Sequence, residues 1–293
     1  MSDSSPAGAA GSFLFGGDLP VNRLGYGSMR LSGPGIMGPP KDRDEAIAVL
    51  RTAVELGVNH IDTSDYYGPF VVNELIKEAL HPYPEDLVLV TKVGARRDAR
   101  GRWLPALTPG ELVSAVQDNL DHLGIDHIHG VNLRMADERG GVLRDGSLAP
   151  QFEVLAGLQQ QGLIKHLGVS NVGRGQLVEA QTIAAVACVQ NSYNVIDRTD
   201  DELVDTCAAE GIAFVPFFPL GGFTPLAADR FTTIADSLGA TTMQLALAWL
   251  LQRSPAILCI PGTSSVDHLR ENLAAGTIEL TADQLDDLDR LSA

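Results

Sequence analysis

Short apolar runs alternate with longer amphipathic stretches along almost the whole chain. Short apolar runs are typical of buried strands, and apolar positions that recur every three or four residues are typical of helices. The pattern predicts a first strand over residues 23–27 and further strands over 58–61, 87–90, 127–133, 164–169, 185–189, 212–215 and 257–260. It predicts helices over 43–56, 72–80, 109–123, 152–160, 201–209 and 243–251.

Local signals mark several ends of these helices. Thr108 precedes Pro109, a common start of a helix. Four predicted helices are followed by a glycine, at Gly57, Gly124, Gly162 and Gly211. Eight strands separated by helices predict an α/β fold, a (β/α)8 TIM barrel that forms one domain over residues 13–293. A doubly wound open sheet is the alternative, but the glycine motif that usually opens that fold does not follow the first strand.

Composition limits the classes of function. The chain has 293 residues, of which 45% are hydrophobic, which is enough to bury a large core in a single barrel. Its net charge of −16 would repel nucleic acid and an anionic membrane, so neither is an expected partner. No apolar run approaches the ~18 residues of a membrane span. Residues 1–12 lack a basic or apolar signal region and are predicted to be a disordered leader of a cytoplasmic protein.

The three cysteines, Cys188, Cys207 and Cys259, lie far apart within apolar or helical patterns. They lack the close spacing of a metal site and are predicted to be small core residues in a reducing compartment. The sequence therefore predicts no metal centre.

Two ionisable side chains lie where predicted strands end, at Asp62 and Lys92. In a parallel barrel the carboxyl ends of the strands form the rim on which active sites are built. Alternation along the third strand places Val88, Val90 and Lys92 on one face, so Lys92 points inward if the valines fill the barrel. A buried ammonium needs an anionic partner, and Asp62 is the candidate.

Tyr67 lies five residues beyond Asp62 and is expected to reach the same place from the following loop. A nearby cation stabilises phenolate, so we expect Lys92 to lower the pKa of Tyr67 and make it a general acid for a carbonyl oxygen. Each residue also has an ordinary interpretation: Asp62 as a helix cap, Tyr67 as a surface turn residue and Lys92 as a solvated strand end. The combination of all three at these strand ends favours a catalytic site.

Longer motifs carry a resemblance to a known family. They are DTSDYYG at 62–68, VTK ending at Lys92, GLIKHLGVSN at 162–171, VQNSYN at 189–194, FFPLGG at 217–222 and IPGTSSVDHLRENLAA at 260–275. In this order, over nearly the whole chain, they resemble the aldo-keto reductases. The segments NRLGYGSMRLSGPGIMGPP, NHIDTSDYYGP, VTKVGARR, WLPA and VNLR resemble more narrowly the bacterial pyridoxal reductase branch.

This resemblance implies an NADPH-dependent enzyme on a barrel that reduces a small-molecule aldehyde to an alcohol, most favourably pyridoxal to pyridoxine. Asp62, Tyr67 and Lys92 occupy the family's catalytic positions. Tyr67 would supply the proton and the nicotinamide the hydride, while Lys92 and Asp62 would bias Tyr67 toward proton transfer.

The resemblance also assigns residues to the cofactor. Ser170, Asn171 and Gln190 match positions that hold the nicotinamide carboxamide. Phe217 takes the aromatic position that stacks on the nicotinamide, where tyrosine or tryptophan is more usual. The other implied cofactor-binding positions are Ser28, Met29, Asp62, Leu220, Gly221, Gly262, Thr263, Ser264, His268, Glu271 and Asn272.

The segment GTSS at 262–265 precedes a helix near Asp267 and offers hydroxyls and backbone donors for an adenosine phosphate. An ordinary loop and helix cap is the alternative. The family often has an arginine where His268 stands, so we expect a modest preference for NADPH over NADH, with assistance from Arg270.

The fourth strand departs from the family pattern. Ungapped alignment of HGVNLRMAD places Arg134 where most members have a histidine that binds the substrate carbonyl. Asn132 and Arg134 share a face of the strand, whereas His129 lies on the other. Either of the first two could donate to a carbonyl oxygen, Arg134 more strongly because its charge persists. A strand-end salt bridge is the alternative role for Arg134.

A basic run follows the third strand, with Arg96, Arg97, Arg100 and Arg102 before Trp103. Such a loop would overhang the active site and could attract an anion or cover an aromatic ring, although a basic run is more often simply solvated.

Two other functions stay open: a reductase of broader or different carbonyl specificity, and a nicotinamide-binding sensor or regulatory subunit with slow turnover. The sequence does not predict the oligomeric state.

Overall fold

The structure is a computed structural model that describes residues 5–137, 141–219 and 229–292. Its strands in chain order are β1 Ser12–Phe15, β2 Leu19–Asn22, β3 Tyr26–Gly27, β4 His60–Asp62, β5 Val88–Val93, β6 Ala95–Arg97, β7 Trp103–Pro105, β8 Ile128–Arg134, β9 Ile164–Ser170, β10 Val186–Gln190 and β11 Ala213–Phe214. Seven of them form one parallel sheet, in the spatial order β11, β10, β9, β8, β5, β4, β3. The pairs β1–β2 and β6–β7 are separate antiparallel hairpins.

Helices connect most of the parallel strands. They are α1 Arg43–Glu55, α2 Val71–Leu80, α3 Pro109–Leu123, α4 Ala149–Gln160, α5 Arg174–Ile183, α6 Asp201–Glu210, α7 Asp229–Ser237, α8 Thr242–Arg253, α9 Val266–Ala274 and α10 Ala282–Asp289. Short 3₁₀ turns lie at Gly8–Ala10, Ser28–Leu31, Pro34–Ile36, Ala275–Thr277 and Arg290–Ser292. The α/β class and a single domain are therefore confirmed.

Helix α3 illustrates why the predicted boundaries hold where the end signals are strong. Thr108 caps the helix by accepting a hydrogen bond from the backbone of Glu111, whose side chain accepts in return from the backbone of Thr108. Gly124 ends the helix in the left-handed region at φ 66°, which glycine adopts without steric cost. In contrast, α5 was not predicted, because Gly175 in its first turn weakens the helical pattern.

The two faces of the sheet are buried in different ways. Leu87 and Leu89 belong to the large core between the strands and the helices. Val88 and Val90 belong to a second core made of strand residues together with Phe15 and Val21 of the β1–β2 hairpin. Val88 and Val90 therefore lie on the side of the sheet that this second core fills, and the alternation carries Lys92 to the same side.

The eighth predicted strand differs from the expectation. Residues 257–260 form no assigned strand but make isolated parallel bridges, Ile257 with Phe214 on one side and Cys259 with Leu24 on the other. Likewise, only Tyr26 and Gly27 of the predicted strand 23–27 are assigned to β3. Both segments are short, so few ladder hydrogen bonds mark them as strands.

The prediction of a disordered leader over 1–12 is wrong for the residues that the structure describes. Ala7 is fully buried and its backbone N–H donates to Leu56 O at 3.1 Å. Residues 8–10 form a 3₁₀ turn and Ser12 begins β1. Ala7 is therefore held by the chain just after α1, a long-range contact that the composition of residues 1–12 did not reveal.

Across residues 5–137, 141–219 and 229–292, no single helix is both long and apolar enough to cross a membrane. Within those residues, only the helices over 230–237 and 242–253 taken together have the length and composition of a membrane span, and they are bent by 89° where they meet.

All three cysteines are buried and unpaired, so their prediction as core residues is confirmed.

Candidate active site

Asp62 and Lys92 form a buried ion pair at the carboxyl ends of β4 and β5. The Lys92 Nζ lies 2.6 Å from Asp62 Oδ1, and the two side chains are only 8% and 4% exposed. Nζ also donates to the carbonyl oxygen of Thr63 at 3.0 Å. The parallel register places Asp62 beside Val90, so Lys92 lies two residues beyond on the same face. The predicted pairing is confirmed.

Gln190, at the end of β10, holds the other oxygen of the same carboxylate. Its Nε2 donates to Asp62 Oδ2 at 2.8 Å, so both carboxylate oxygens accept a hydrogen bond. The Gln190 Oε1 atom is buried and has no hydrogen-bond partner among the described residues. This acceptor is therefore unsatisfied by the residues that the structure describes.

Tyr67 packs against the ion pair, with its ring centre 5.1 Å from Lys92 Nζ. Burial raises the pKa of Tyr67 well above its ordinary value, the negative charge of Asp62 raises it further, and the positive charge of Arg134 lowers it. The expectation that the neighbouring lysine lowers the pKa is therefore wrong for this structure. Lys92 is already neutralised by Asp62, and the loss of water around the phenol outweighs the nearby cations.

Asn132 and Arg134 lie on the same face of β8, as predicted. The register pairs Asn132 with Lys92 on β5, and Arg134 with Ser170 on β9. The Asn132 Oδ1 accepts a hydrogen bond from the Cys188 thiol at 2.9 Å. Asn132 Nδ2 and Arg134 Nη1 are buried without hydrogen-bond partners among the described residues. No described carboxylate pairs with Arg134, which argues against the alternative role in a strand-end salt bridge.

Aromatic rings flank this cluster. Tyr66 meets Tyr67 edge-on with a centre-to-centre distance of 5.4 Å, and meets Trp103 of β7 in the same way at 5.4 Å. The hydroxyl of Tyr66 is buried and unpartnered among the described residues. The positive charges of Lys92 and Arg134 both act on this phenol. Sequence reasoning overlooked Tyr66, although the adjacent tyrosines of DTSDYYG were the available signal.

The arginines of the basic run have separate positions. Arg97 stacks on Trp103 with 4.1 Å between the guanidinium carbon and the ring centre. It donates to Gly35 O at 2.8 Å, Ile36 O at 3.0 Å and Gly101 O at 2.7 Å. Arg96, Arg100 and Arg102 are exposed. The solvated interpretation therefore holds for three of the four arginines, and Arg97 fastens the β6–β7 hairpin to the loop around Ile36.

The residues predicted to hold the nicotinamide carboxamide meet at one edge of the site. Ser170 and Asn171 are buried, and the Asn171 backbone N–H donates to Gln190 O at 3.2 Å. Asn171 has φ 60°, a left-handed conformation that costs energy for a residue other than glycine and is common at functional sites. Ser28, beyond β3, is fully buried, and its Oγ atom has no hydrogen-bond partner within the part of the chain that the structure describes. Phe217 is half-buried and makes a parallel bridge with Ser192 beyond β10.

The segment at 262–265 lies beside β3 and leads into α9. Gly262 approaches the chain so closely that an added Cβ would lie 2.6 Å from Gly27 O. The Tyr26 hydroxyl donates to Thr263 O at 2.6 Å, which fixes the loop. Ser265 caps α9 by accepting from the backbone of His268.

Among the other predicted cofactor positions, Ser264 and His268 are exposed and Asn272 is buried. Met29 and Glu271 are half-buried. Leu220 and Gly221 lie outside the described residues.

Comparison with known proteins assigns the class. The model of the aldo/keto reductase family matches residues 23–293. The chain therefore belongs to the aldo/keto reductase family and is an oxidoreductase. Pyridoxine 4-dehydrogenase of Escherichia coli (strain K12) is 58% identical over 276 residues, which cover 94% of this chain and 96% of that protein.

Two further relatives support this membership. An uncharacterized oxidoreductase of Schizosaccharomyces pombe is 39% identical over 274 residues, covering 93% of this chain and 87% of that protein. The crystal structure of an aldo-keto reductase from Klebsiella pneumoniae in complex with NADPH superposes with a TM-score of 0.79 at 25% identity. This superposition covers 96% of this chain and 94% of that one.

Proposed function

We propose that this enzyme reduces an aldehyde to an alcohol with NADPH, and that pyridoxal is its substrate and pyridoxine its product. The observation that carries the reaction class is the buried Lys92–Asp62 ion pair against the ring of Tyr67. The observation that favours pyridoxal is the 58% identity to pyridoxine 4-dehydrogenase over nearly the full length of both chains. A dehydrogenase and a reductase catalyse the same reaction in opposite directions.

The polar atoms at the site fit a nicotinamide carboxamide. Gln190 Oε1 can accept from the amide N–H, and Ser28 Oγ is a second buried atom to which no residue in 5–137, 141–219 or 229–292 is hydrogen-bonded. Ser170 and Asn171 would complete the carboxamide site, and Phe217 would cover one face of the ring. When bound, NADPH supplies the hydride that reduces the carbonyl carbon.

The adenosine phosphates would lie at the segment 262–265. Backbone N–H groups there and the N-terminus of α9 attract anions. His268 is exposed in the first turn of this helix and would contribute to binding the 2′-phosphate. Glu271 and Asn272 follow one turn later on α9, and Met29 lies next to Ser28.

Tyr67 would donate the proton to the carbonyl oxygen. The phenol holds its proton at neutral pH and can therefore donate it, although burial and the charge of Asp62 raise its pKa and make it a weaker acid than a free phenol. The Lys92 ammonium and the Arg134 guanidinium would stabilise the phenolate that remains after transfer. Asp62 holds Lys92 in place and offsets its lost hydration, because an unpaired ammonium would be costly at this depth.

Asn132 or Arg134 would orient the substrate carbonyl in place of the family's usual histidine. Each has a buried nitrogen without a partner among the described residues. A hydrogen bond to the carbonyl oxygen would hold the aldehyde beside Tyr67 and polarise it.

We further propose that the strands close into an eight-stranded barrel. The segment 257–260 supports this, since Leu258 N donates to Phe214 O at 2.9 Å and Cys259 N donates to Arg23 O at 2.8 Å. We also propose a cytoplasmic location, because the three unpaired cysteines suit a reducing compartment.

A substrate panel tests the proposal. Pyridoxal and other aldehydes are assayed with NADPH and with NADH, and we expect pyridoxal with NADPH to give the highest kcat/KM. A higher value for several unrelated carbonyl compounds would indicate the reductase of broader specificity. A single slow turnover with bound NADPH and every aldehyde would indicate the sensor instead.

A further inference from the structure

Arg134 carries a positive charge that no described carboxylate neutralises. In the same site Lys92 is neutralised by Asp62 at 2.6 Å. Arg134 forms no ion pair with the residues in 5–137, 141–219 and 229–292, and its Nη1 is buried without a hydrogen bond to them. The chain has 37 acidic residues and a net charge of −16, yet none of the described carboxylates pairs with Arg134. A buried donor on a cation is costly unless a ligand pairs with it.

This charge lies beside the reacting group. Arg134 is the last residue of β8, two residues beyond Asn132, which pairs with Lys92. The Arg134 charge acts on the phenols of both Tyr66 and Tyr67. An anion bound by Arg134 would therefore lie next to the carbonyl that Tyr67 protonates.

The walls around this charge are flat and aromatic. The guanidinium carbon of Arg134 lies 5.8 Å from the ring centre of Trp103, which also contacts Tyr66. Arg97, on the same indole, already donates to three backbone carbonyl groups and is not free to bind a ligand anion. The unpaired cation and the aromatic rings together suit a planar ring that carries an anionic oxygen.

We infer that Arg134 binds an anionic oxygen on the ring carbon next to the one that carries the aldehyde group. This contact selects aromatic aldehydes with an ionised ortho hydroxyl. The inference rests on the proposed function and names the substrate class of that site. The planar guanidinium has several N–H donors, so it can bind the carbonyl oxygen and the ortho oxygen together.

The probes are 2-hydroxybenzaldehyde and 4-hydroxybenzaldehyde, assayed with NADPH at a pH above the hydroxyl pKa of both. The two ions have the same charge and both deactivate the aldehyde by resonance, but only the first has its oxygen beside the carbonyl. We expect the wild-type enzyme to prefer the ortho isomer in kcat/KM by about 10- to 100-fold, as for a hydrogen bond to a charged group. Arg134→Met should reduce this ratio to near one, and Arg134→Lys should keep part of it.

Arg102→Met is the matched control, because Arg102 precedes Trp103 in the β6–β7 hairpin, is exposed and pairs with Asp98. Its ortho-to-para ratio should equal that of wild type, and melting temperatures would show that each variant is folded. Equal rates for the two isomers in the wild type, an unchanged ratio in Arg134→Met, or a stronger preference for the 2-oxo acid glyoxylate would overturn the inference while leaving the reductase function in place. Failure to reduce any aldehyde, pyridoxal included, would overturn the proposed function and this inference with it.

Discussion

The ammonium of Lys92 lies 2.6 Å from the carboxylate of Asp62, although thirty residues separate them in the chain. The contact exists because β4 and β5 are neighbours in a parallel sheet and both side chains lie on its concave face. Both groups are buried, so each depends on the other to offset its lost hydration.

Removal of one partner from this pair should destabilise the fold strongly. We expect Lys92→Met or Asp62→Asn to lower the free energy of unfolding by about 3 to 5 kcal/mol, because each leaves an uncompensated buried charge or polar group. The double variant Asp62→Asn with Lys92→Met should cost much less than the sum of the single losses. Urea unfolding of the four proteins measures the coupling, and additive losses would show that the pair is not coupled.

Tyr67→Phe should nearly abolish reduction of the aldehyde. Loss of a general acid typically costs ~10²- to 10⁴-fold in rate. NADPH affinity, measured by fluorescence titration, should stay within a few-fold of wild type, because the hydroxyl is assigned to proton transfer. Tyr83→Phe is the control, since that hydroxyl donates to Leu123 O at 2.7 Å, away from the catalytic cluster. Near-normal turnover by Tyr67→Phe would refute the assignment.

His268→Arg should increase the preference for NADPH over NADH. His268 is exposed in the first turn of α9, and an arginine there would add a permanent charge and a bidentate donor for a phosphate. We expect the ratio of kcat/KM values for the two cofactors to rise about 2- to 10-fold, as suits an exposed ion pair. His268→Gln should leave the ratio near that of wild type. Equal use of both cofactors by the parent enzyme would contradict a phosphate site here.

Asp65 should make the stability of this fold fall as the pH rises. Burial, together with the nearby charge of Asp118, raises the pKa of Asp65 from 3.8 to about 7. Between pH 4 and pH 7 the folded protein therefore keeps a proton that the unfolded chain has lost, so raising the pH favours unfolding. Above pH 7 the folded protein carries the full free-energy cost of burying the ionised Asp65 carboxylate, on the order of 2 to 4 kcal/mol.

Asp65→Asn provides the test, because the amide does not titrate. The free energy of unfolding of the variant minus that of wild type should increase from pH 4 to pH 7 and then level off. Burial lowers the pKa of His60 and of His129 to about 4, so both histidines also affect stability in this range. Their effect cancels in the difference between the two proteins. A difference that stays constant with pH would show that Asp65 has an ordinary pKa.

The local features of this protein could be predicted from neighbouring residues in the chain. The alternation Val88, Val90, Lys92 predicted which side chains face the concave side, because successive side chains of a strand point to opposite faces. Thr108 and Gly124 predicted both ends of α3, since capping depends on residues adjacent in the chain. The carboxyl-end positions of Asp62 and Lys92 predicted their meeting, because parallel strands bring those ends to one rim.

The tertiary structure decided what depends on surroundings from distant parts of the chain. The pKa of Tyr67 is raised, not lowered, because desolvation is set by every element that packs over the phenol. Tyr66, Trp103 and Arg134 come together only through the β6–β7 hairpin, which no local pattern places. Ala7 is fully buried and its backbone donates to Leu56, far along the chain. Local sequence fixes the direction of a side chain, but its burial and charge environment are properties of the whole fold.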